Sequence, residues 1–202
     1  MRMRREYYYL IGIGIILVSV FLLIVFITLV DNDPSVSTPN TVNIPQNAEL
    51  TNRFQESTVL TFLYPEGWDY DIPRDGFIIV ADPESLRQGT GPTLTIERVV
   101  PAENSNLSQT LDAYLQRGFL RAGTTWEIVE GPGVTTFNDR DAVRVLLEGG
   151  QSPGAPVYRA EVIATQGDNE TIYIFQQTAP VGNWTAMTTI FNSILESVEI
   201  TE

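Results

Sequence analysis

The chain contains no cysteine, no histidine and no lysine, and all twelve of its basic residues are arginine. Each absence removes a class of chemistry. Ser-His-Asp and Cys-His nucleophile systems are excluded, as are zinc and haem sites built on His or Cys. Schiff-base and P-loop lysines are excluded with them. Without cysteine there is also no disulfide and no lipid-modified N-terminal Cys, so any exported part of the chain must stand on its hydrophobic core alone. What remains is carboxylate chemistry, or an oxygen-ligand site for a hard cation such as calcium.

Basic charge is scarce as well. The chain carries 25 Asp and Glu against 12 Arg, a net charge of −13. Residues 1–30 hold three Arg and one Glu (+2), leaving nine Arg and 24 acids (−15) for the rest. A surface of that sign stays soluble, repels nucleic-acid phosphates and stands off anionic lipid. No nucleic-acid partner is expected.

Leu10 to Val30 is an uncharged apolar run of 21 residues. At about 1.5 Å rise per residue, a helix of that length matches a hydrocarbon core of roughly 30 Å. Arg2, Arg4 and Arg5 precede it, so the positive-inside rule keeps the N-terminus cytoplasmic and sends the C-terminal bulk across. A cleaved secretory signal is the competing reading, but its apolar region is shorter and ends at a small-residue site, whereas Asp31-Asn32-Asp33-Pro34 follows here. The expected plan is a basic cytoplasmic tip (1–9), a transmembrane helix (10–30), a Pro/Ser/Thr/Asn linker (31–46) and an extracytoplasmic domain (47–202). The expected location is the cell membrane, with a single pass. A domain of roughly 155 residues buries about 68 to 70% of its unfolded surface, enough to fold without staples.

Within that domain, Thr58 to Tyr64 is rich in β-branched and aromatic residues and stops at Pro65-Glu66-Gly67, the pattern of a strand and turn. Trp68 to Ile72 alternates apolar residues with aspartate, predicting a half-buried strand. Phe77 to Ala81 and Thr93 to Val100 read as further strands, separated by Asp82-Pro83-Glu84 and a Gly89 to Pro92 loop. From Leu107 to Ala122 the apolar spacing becomes three and four, predicting an amphipathic helix with Asn106 as N-cap, Gln109 as its capping-box partner and Gly123 as the stop. Strands resume at Thr125 to Val129, Val134 to Phe137 and Ala142 to Leu147, the last two joined across Asn138-Asp139-Arg140. Val157 to Thr165 and Thr171 to Thr178 follow, with a hairpin signal at Gly167-Asp168-Asn169. A second helix is expected from Trp184 to Leu195, capped by Asn183, with Trp184 and Met187 as core contacts. A short strand, Ser197 to Ile200, closes the chain. Hairpin-ordered strands interrupted by two helices imply an α+β fold, an antiparallel β-sheet covered by helices.

Candidate sites are few. Gly150-Gln151-Ser152-Pro153-Gly154 matches G-x-S-x-G, but it joins two strands, no His exists to act as base, and Pro153 has no N–H for an oxyanion hole. A plain loop is expected. Asp69, Asp71 and Asp75 resemble the start of a calcium loop, yet Pro73 and Arg74 stand where an EF-hand needs Asp or Asn and then Gly. Residues 69 and 71 share one face of a strand, which predicts a solvated face rather than a metal site. Asp139 and Asp141 are accounted for by turn chemistry. Asn106, Asn169 and Asn183 begin glycosylation sequons, relevant only in a host with that machinery. A pair of carboxylates acting as acid and base cannot be nominated from spacing. No catalytic residue and no cofactor is expected, and the metal question stays open.

Three stretches carry a family resemblance. Phe62-Leu63-Tyr64-Pro65-Glu66-Gly67-Trp68 is similar to the Tyr-Pro-x-Gly-Trp strand end of the PsbP-like group, the fold of an extrinsic photosystem II protein. The hairpin from Asn138 to Val145 resembles that group's turn, followed by a small residue and alternating apolars. Trp184 to Ile200 is similar to its final helix running into a Ser-led strand. The resemblance implies an α-β-α sandwich and a non-enzymatic binding or assembly module, and it supplies no catalytic residues. Combined with the anchor, it sets the expectation of a partner protein in the membrane or envelope. The alternative is an extracytoplasmic ligand- or calcium-binding domain.

Overall fold

The computed structural model describes residues 49–56, 59–167 and 170–201. The expected cytoplasmic tip, transmembrane helix and linker (1–9, 10–30 and 31–46) lie outside the described residues. Among the described residues no helix is long and apolar enough to cross a membrane.

The domain is built on two antiparallel sheets rather than the single sheet expected. β1 (Leu50–Glu56), β2 (Leu60–Pro65) and β10 (Glu199–Ile200) form a small sheet in the order β1-β2-β10. The other seven strands are β3 (Asp69–Arg74), β4 (Phe77–Ala81), β5 (Thr93–Val99), β6 (Glu127–Phe137), β7 (Arg140–Gly149), β8 (Tyr158–Gln166) and β9 (Ile172–Pro180). They pair in the order β3-β4-β5-β9-β8-β7-β6. Three helices complete the fold: α1 (Pro83–Gln88), α2 (Leu107–Gly118) and α3 (Trp184–Glu196).

The strand order explains which surface each helix covers. The chain makes two hairpins from β3 to β5, leaves the sheet through α2, re-enters at the far edge as β6 and returns by hairpins until β9 lies beside β5. On its way α2 packs on β7 and β8. Its apolar side, with Leu111, Tyr114 and Leu115, joins Val145, Leu147, Val162 and Ile174 in one core. After β9 the chain crosses the opposite face as α3 and delivers β10 to β2. There Met187, Phe191 and Ile194 bury with Phe62, Val80, Leu94 and Phe175 in a second, larger core.

Local chemistry sets the element ends. The Asn106 side chain accepts from the Gln109 amide at 2.9 Å while the Gln109 side chain accepts from the Asn106 amide at 3.0 Å, so the expected capping box is present. α2 stops at Gly118 instead of Ala122. The amides of Phe119 and Leu120 both bond to the Leu115 carbonyl at 2.8 Å, and Phe119 turns edge-on to Trp126, 5.0 Å between ring centroids. The Asn138-Asp139 turn has positive φ at both residues, 47° and 64°, as the mirror-image turns that suit hairpin twist require.

Other expectations fail for identifiable reasons. The stretch after Asp82, read as a break between strands, is α1. The Asp82 carboxylate accepts from the Glu84 and Ser85 amides at 3.0 and 3.1 Å, Pro83 occupies the first turn, and Gly89 closes the helix at φ 65°. Six residues are too few for a periodic signal. β1 escapes because Leu-Thr-Asn-Arg-Phe-Gln-Glu lacks the β-branched density of a strand; pairing with β2 forms it. The strand expected at Thr125 to Val129 starts at Glu127 and runs on into the one expected at Val134 to Phe137 as a single bulged strand, β6, interrupted in register between Ile128 and Gly133. Asn183 does not cap α3: it sits at φ −106°, ψ −4° after a 3-10 turn (Val181–Asn183), and makes no side-chain cap bond. Met187 is a core residue, as expected, and Trp184 packs against the same core.

Candidate functional site

The sequence of β5, Thr-Leu-Thr-Ile-Glu-Arg-Val, separates two environments by strand alternation. Leu94 and Ile96 point into the larger core. Thr93, Thr95, Glu97 and Val99 point to the α2 face. Because α2 packs on β7 and β8, this half of the face is not sealed. Phe77 and Ile79 of β4, Thr93 of β5, and Gln176 and Thr178 of β9 are half-buried there. The result is a polar groove beside α2, backed on the reverse of β4 and β5 by the apolar residues of the larger core.

Tyr114 stands at the edge of this groove, and its phenol donates to the Gln176 side-chain oxygen at 2.7 Å. The Gln176 amide in turn donates to the Thr178 hydroxyl at 3.0 Å. Burial, and after it the negative charge of Glu97, pushes the Tyr114 phenol well above its ordinary range, against a hydrogen bond with Thr95 and the positive charges of Arg117 and Arg74. The phenol is therefore a fixed neutral donor. Glu97 receives Arg74 at 2.9 Å and Arg117 at 3.4 Å, both on the same oxygen. Arg74 lies 4.6 Å from the Phe77 ring centroid and Arg117 5.7 Å from that of Tyr114, distances at which a guanidinium is held by the ring face.

Two clefts flank the connection between β5 and α2. One, of about 180 Å³, adjoins the groove and is lined by Tyr114, Arg117, Gln109, Thr110 and Ile174 among others. The second, of about 620 Å³, lies on the other side of the connection and includes Val100, Glu103, Asn104, Asp141 and Glu170. Val100 is exposed at its lip. The three carboxylates are exposed too, so this cleft lacks the apolar burial on which carboxylate acid–base pairs depend.

On the opposite face, charge is handled differently. Arg144 bonds Glu161 and, at 2.7 Å, Glu130, while Arg159 reaches Glu148 at 3.1 Å. Burial alone would lower the Arg144 guanidinium, but the bonds to Glu161 and Glu130 outweigh it and hold it above its ordinary value. These pairs satisfy one another across β6, β7 and β8.

The residues singled out from sequence fall in several places. Asp69 and Asp71 share one face of edge strand β3, opposite Ala81 and Ile79, at the rim of the groove. The half-buried strand expected there is exposed along its whole length: Tyr70 rests edge-on against Phe54, 4.9 Å between centroids, yet stays 41% exposed, and Ile72 is 43% exposed. An edge strand with one small sheet beside it has too little to pack on. Asp75 is apart from them and pairs with Arg98 at 3.3 Å. Asp139 serves the hairpin turn and Asp141 lines the larger cleft. Among the described residues no three Asp or Glu side chains gather as a metal site would need. Ser152 lies in an exposed loop between β7 and β8, as expected. The motif's glycines have local reasons: Gly154 has φ 81°, and a Cβ on Gly150 would lie 2.9 Å from the Pro156 carbonyl. Asn106 is engaged in its cap, and Asn169 lies outside the described residues.

Sequence reasoning missed the groove itself. Tyr114 is one apolar position among several in the α2 pattern, Arg74 stands out only as a misfit in a calcium loop, and Glu97 and Gln176 belong to no motif. A signal existed: three polar residues at alternate positions in a strand that pairs on both sides, where parallel apolar faces would be the cheaper choice.

A seven-stranded antiparallel sheet with helices on both faces and a small sheet beside α3 is the PsbP-like class of α+β fold. No protein-family model matches the sequence, and no curated protein does. Solved structures match through the fold. Cyanobacterial PsbP (CyanoP) from Synechocystis sp. PCC 6803 superposes with a TM-score of 0.56 at 11% identity, over 74% of this chain and 92% of that one. The Ran-binding protein Mog1p of Saccharomyces cerevisiae gives 0.52 at 12% identity, over 76% and 96%. At these identities the likeness establishes the fold, and the resemblance read from the Tyr-Pro-Glu-Gly-Trp strand end and the final helix holds at that level.

Proposed function

We propose that this chain is a membrane-anchored extracytoplasmic binding or assembly module without a reaction of its own, and that its partner is a protein of the membrane or envelope. The observation that carries this reading is the polar groove beside α2, where Tyr114, Gln176, Glu97 and two arginines are held in fixed positions on a half-open sheet face. Pre-positioned polar groups on a rigid sheet suit recognition. Catalysis here would fall to Glu97, which is engaged by two guanidinium groups, since the chain has no His, Cys or Lys to serve as base or nucleophile. The apolar run 10–30, the basic tip before it and the acidic remainder support the anchor and the orientation. Mog1p, which has the same fold, is a Ran-binding protein; a binding role on this scaffold is in keeping with that, although a fold does not assign a partner. Affinity purification of the full chain from solubilised membranes should recover a stoichiometric partner, and recovery of the free protein alone would count against the reading.

A second reading, an extracytoplasmic ligand-binding domain, is favoured by the clefts of about 180 and 620 Å³ on either side of the β5–α2 connection. Its calcium version has less support, because no three carboxylates gather among the described residues. Thermal melts with and without millimolar calcium separate the two. A calcium-dependent rise in melting temperature would restore the cation version.

A further inference from the structure

The ion pairs of this domain are not all alike. Among the described residues, Arg87 has Glu84, Arg98 has Asp75 and Arg159 has Glu148, one carboxylate each, and Arg144 has two. At Glu97 the ratio reverses, with Arg74 and Arg117 converging on a single oxygen. At Glu97 itself this leaves one more guanidinium than carboxylate, with Asp69 and Asp71 standing on the rim of the same face. The Glu97 side chain is 13% exposed, whereas those of Arg74 and Arg117 are 58% and 66% exposed. The acid therefore acts as an anchor below two guanidinium groups that face water. A guanidinium has five N–H donors; Arg117 commits one to Glu97, and Arg74 meets the same oxygen as an ion pair. Phe77 under Arg74 and Tyr114 under Arg117 hold the planes in place, so much of the side-chain entropy of gripping a ligand is already lost.

We propose that Arg74 and Arg117 form an oxyanion clamp, which takes a carboxylate or phosphate group between their outward N–H donors at the mouth of the groove. This rests on the reading of the groove as a binding surface and names the chemistry it accepts. Arg117 also lines the smaller cleft, of about 180 Å³, so a group attached to the anion has somewhere to sit beside Tyr114. Geometry favours arginine for this task, since paired donors in one plane match the paired oxygens of carboxylate and phosphate.

The test is a titration of the isotope-labelled full chain with inorganic phosphate and, separately, with acetate, followed through the arginine Nε–H signals. Saturable shifts of the Arg74 and Arg117 signals are expected with at least one of the anions; phosphate alone points to a phosphate ligand, acetate to a carboxylate. Arg74→Gln and Arg117→Gln should each weaken binding by about tenfold or more, the worth of a hydrogen bond to a charged group. Both side chains are exposed, so neither change threatens the fold. Glu97→Gln keeps an oxygen at the anchor and removes its charge, and should tighten binding. Arg87→Gln, on α1, should leave it unchanged. Absence of saturation with both anions, or affinity unaltered in both groove arginine variants, would overturn the clamp. Recovery of a stoichiometric partner despite that result would leave the binding-module reading intact, while saturable binding without any recovered partner would uphold the clamp and sink the partner reading.

Discussion

On one face of the seven-stranded sheet, α3 and the small sheet together bury Phe54, Phe62, Phe175 and Phe191 in a thick core. On the other, α2 alone covers the β7–β8 side and leaves the β5 side polar and half-open. The same strands serve both. β5 sends Leu94 and Ile96 one way and Thr95 and Glu97 the other, so the apolar core and the half-open polar face are divided by strand alternation rather than by separate segments. The lesson is that one side of a strand can stay polar and half-open when the alternate residues of the same strand are buried on the reverse.

That contrast predicts unequal costs. The largest belongs to Phe191→Ala. Phe191 is fully buried on α3 and packs edge-on with Trp68, 6.1 Å between centroids, so truncation should cost about 3 to 5 kcal/mol in denaturant unfolding. Leu115→Ala on α2 should cost less, about 2 to 4 kcal/mol, because leucine leaves a smaller cavity than phenylalanine and α2 has no second sheet beside it. If the two losses come out equal, or reversed, the two faces do not differ as described.

Tyr114→Phe addresses the groove. Losing the bond to Gln176 should cost about 1 to 2 kcal/mol. The pH dependence gives a second reading of the same residue. The folded phenol ionises above its ordinary value of 10.0. Below that pH it is protonated in both states and contributes no pH dependence. As pH rises past about 10 the unfolded chain releases the proton first, so stability falls with pH in that window. The variant should lose less stability there than the parent, and an identical alkaline decline would place Tyr114 in an ordinary environment. Smaller still is Asn106→Ala, which removes half of the capping box and should cost about 1 kcal/mol, with faster amide exchange confined to the first turn of α2.

Much of the fold was readable from local pattern. The capping box at Asn106 and Gln109, the Asn138-Asp139 hairpin and the places of β4, β5, β7, β8 and β9 follow from residue types within a few positions of each other. What escaped depends on distant partners. β1 exists because β2 lies beside it, Thr125 to Val129 and Val134 to Phe137 join because β7 continues past both, and the split into two sheets appears only when β10 returns to β2. The candidate site was least legible, since Arg74, Glu97 and Arg117 come from β3, β5 and α2 and no spacing in the chain links them. Alternation in β5 held the one usable hint.

The Asn138-Asp139 turn also bears on how this chain could be cut, tagged or permuted. It is exposed, short and polar, the kind of loop tip where new termini or inserted domains are usually tolerated. Yet the Asn138 side-chain amide donates to the carbonyls of Leu195 at 3.1 Å and Val198 at 2.8 Å, so the tip of one hairpin closes the end of a helix 57 residues away. Opening the chain there would release the C-terminus of α3 and its hand-over to β10. The exposed loop around Ser152 to Gly154 is the better place for an insertion, because what it offers the rest of the fold is only a connection.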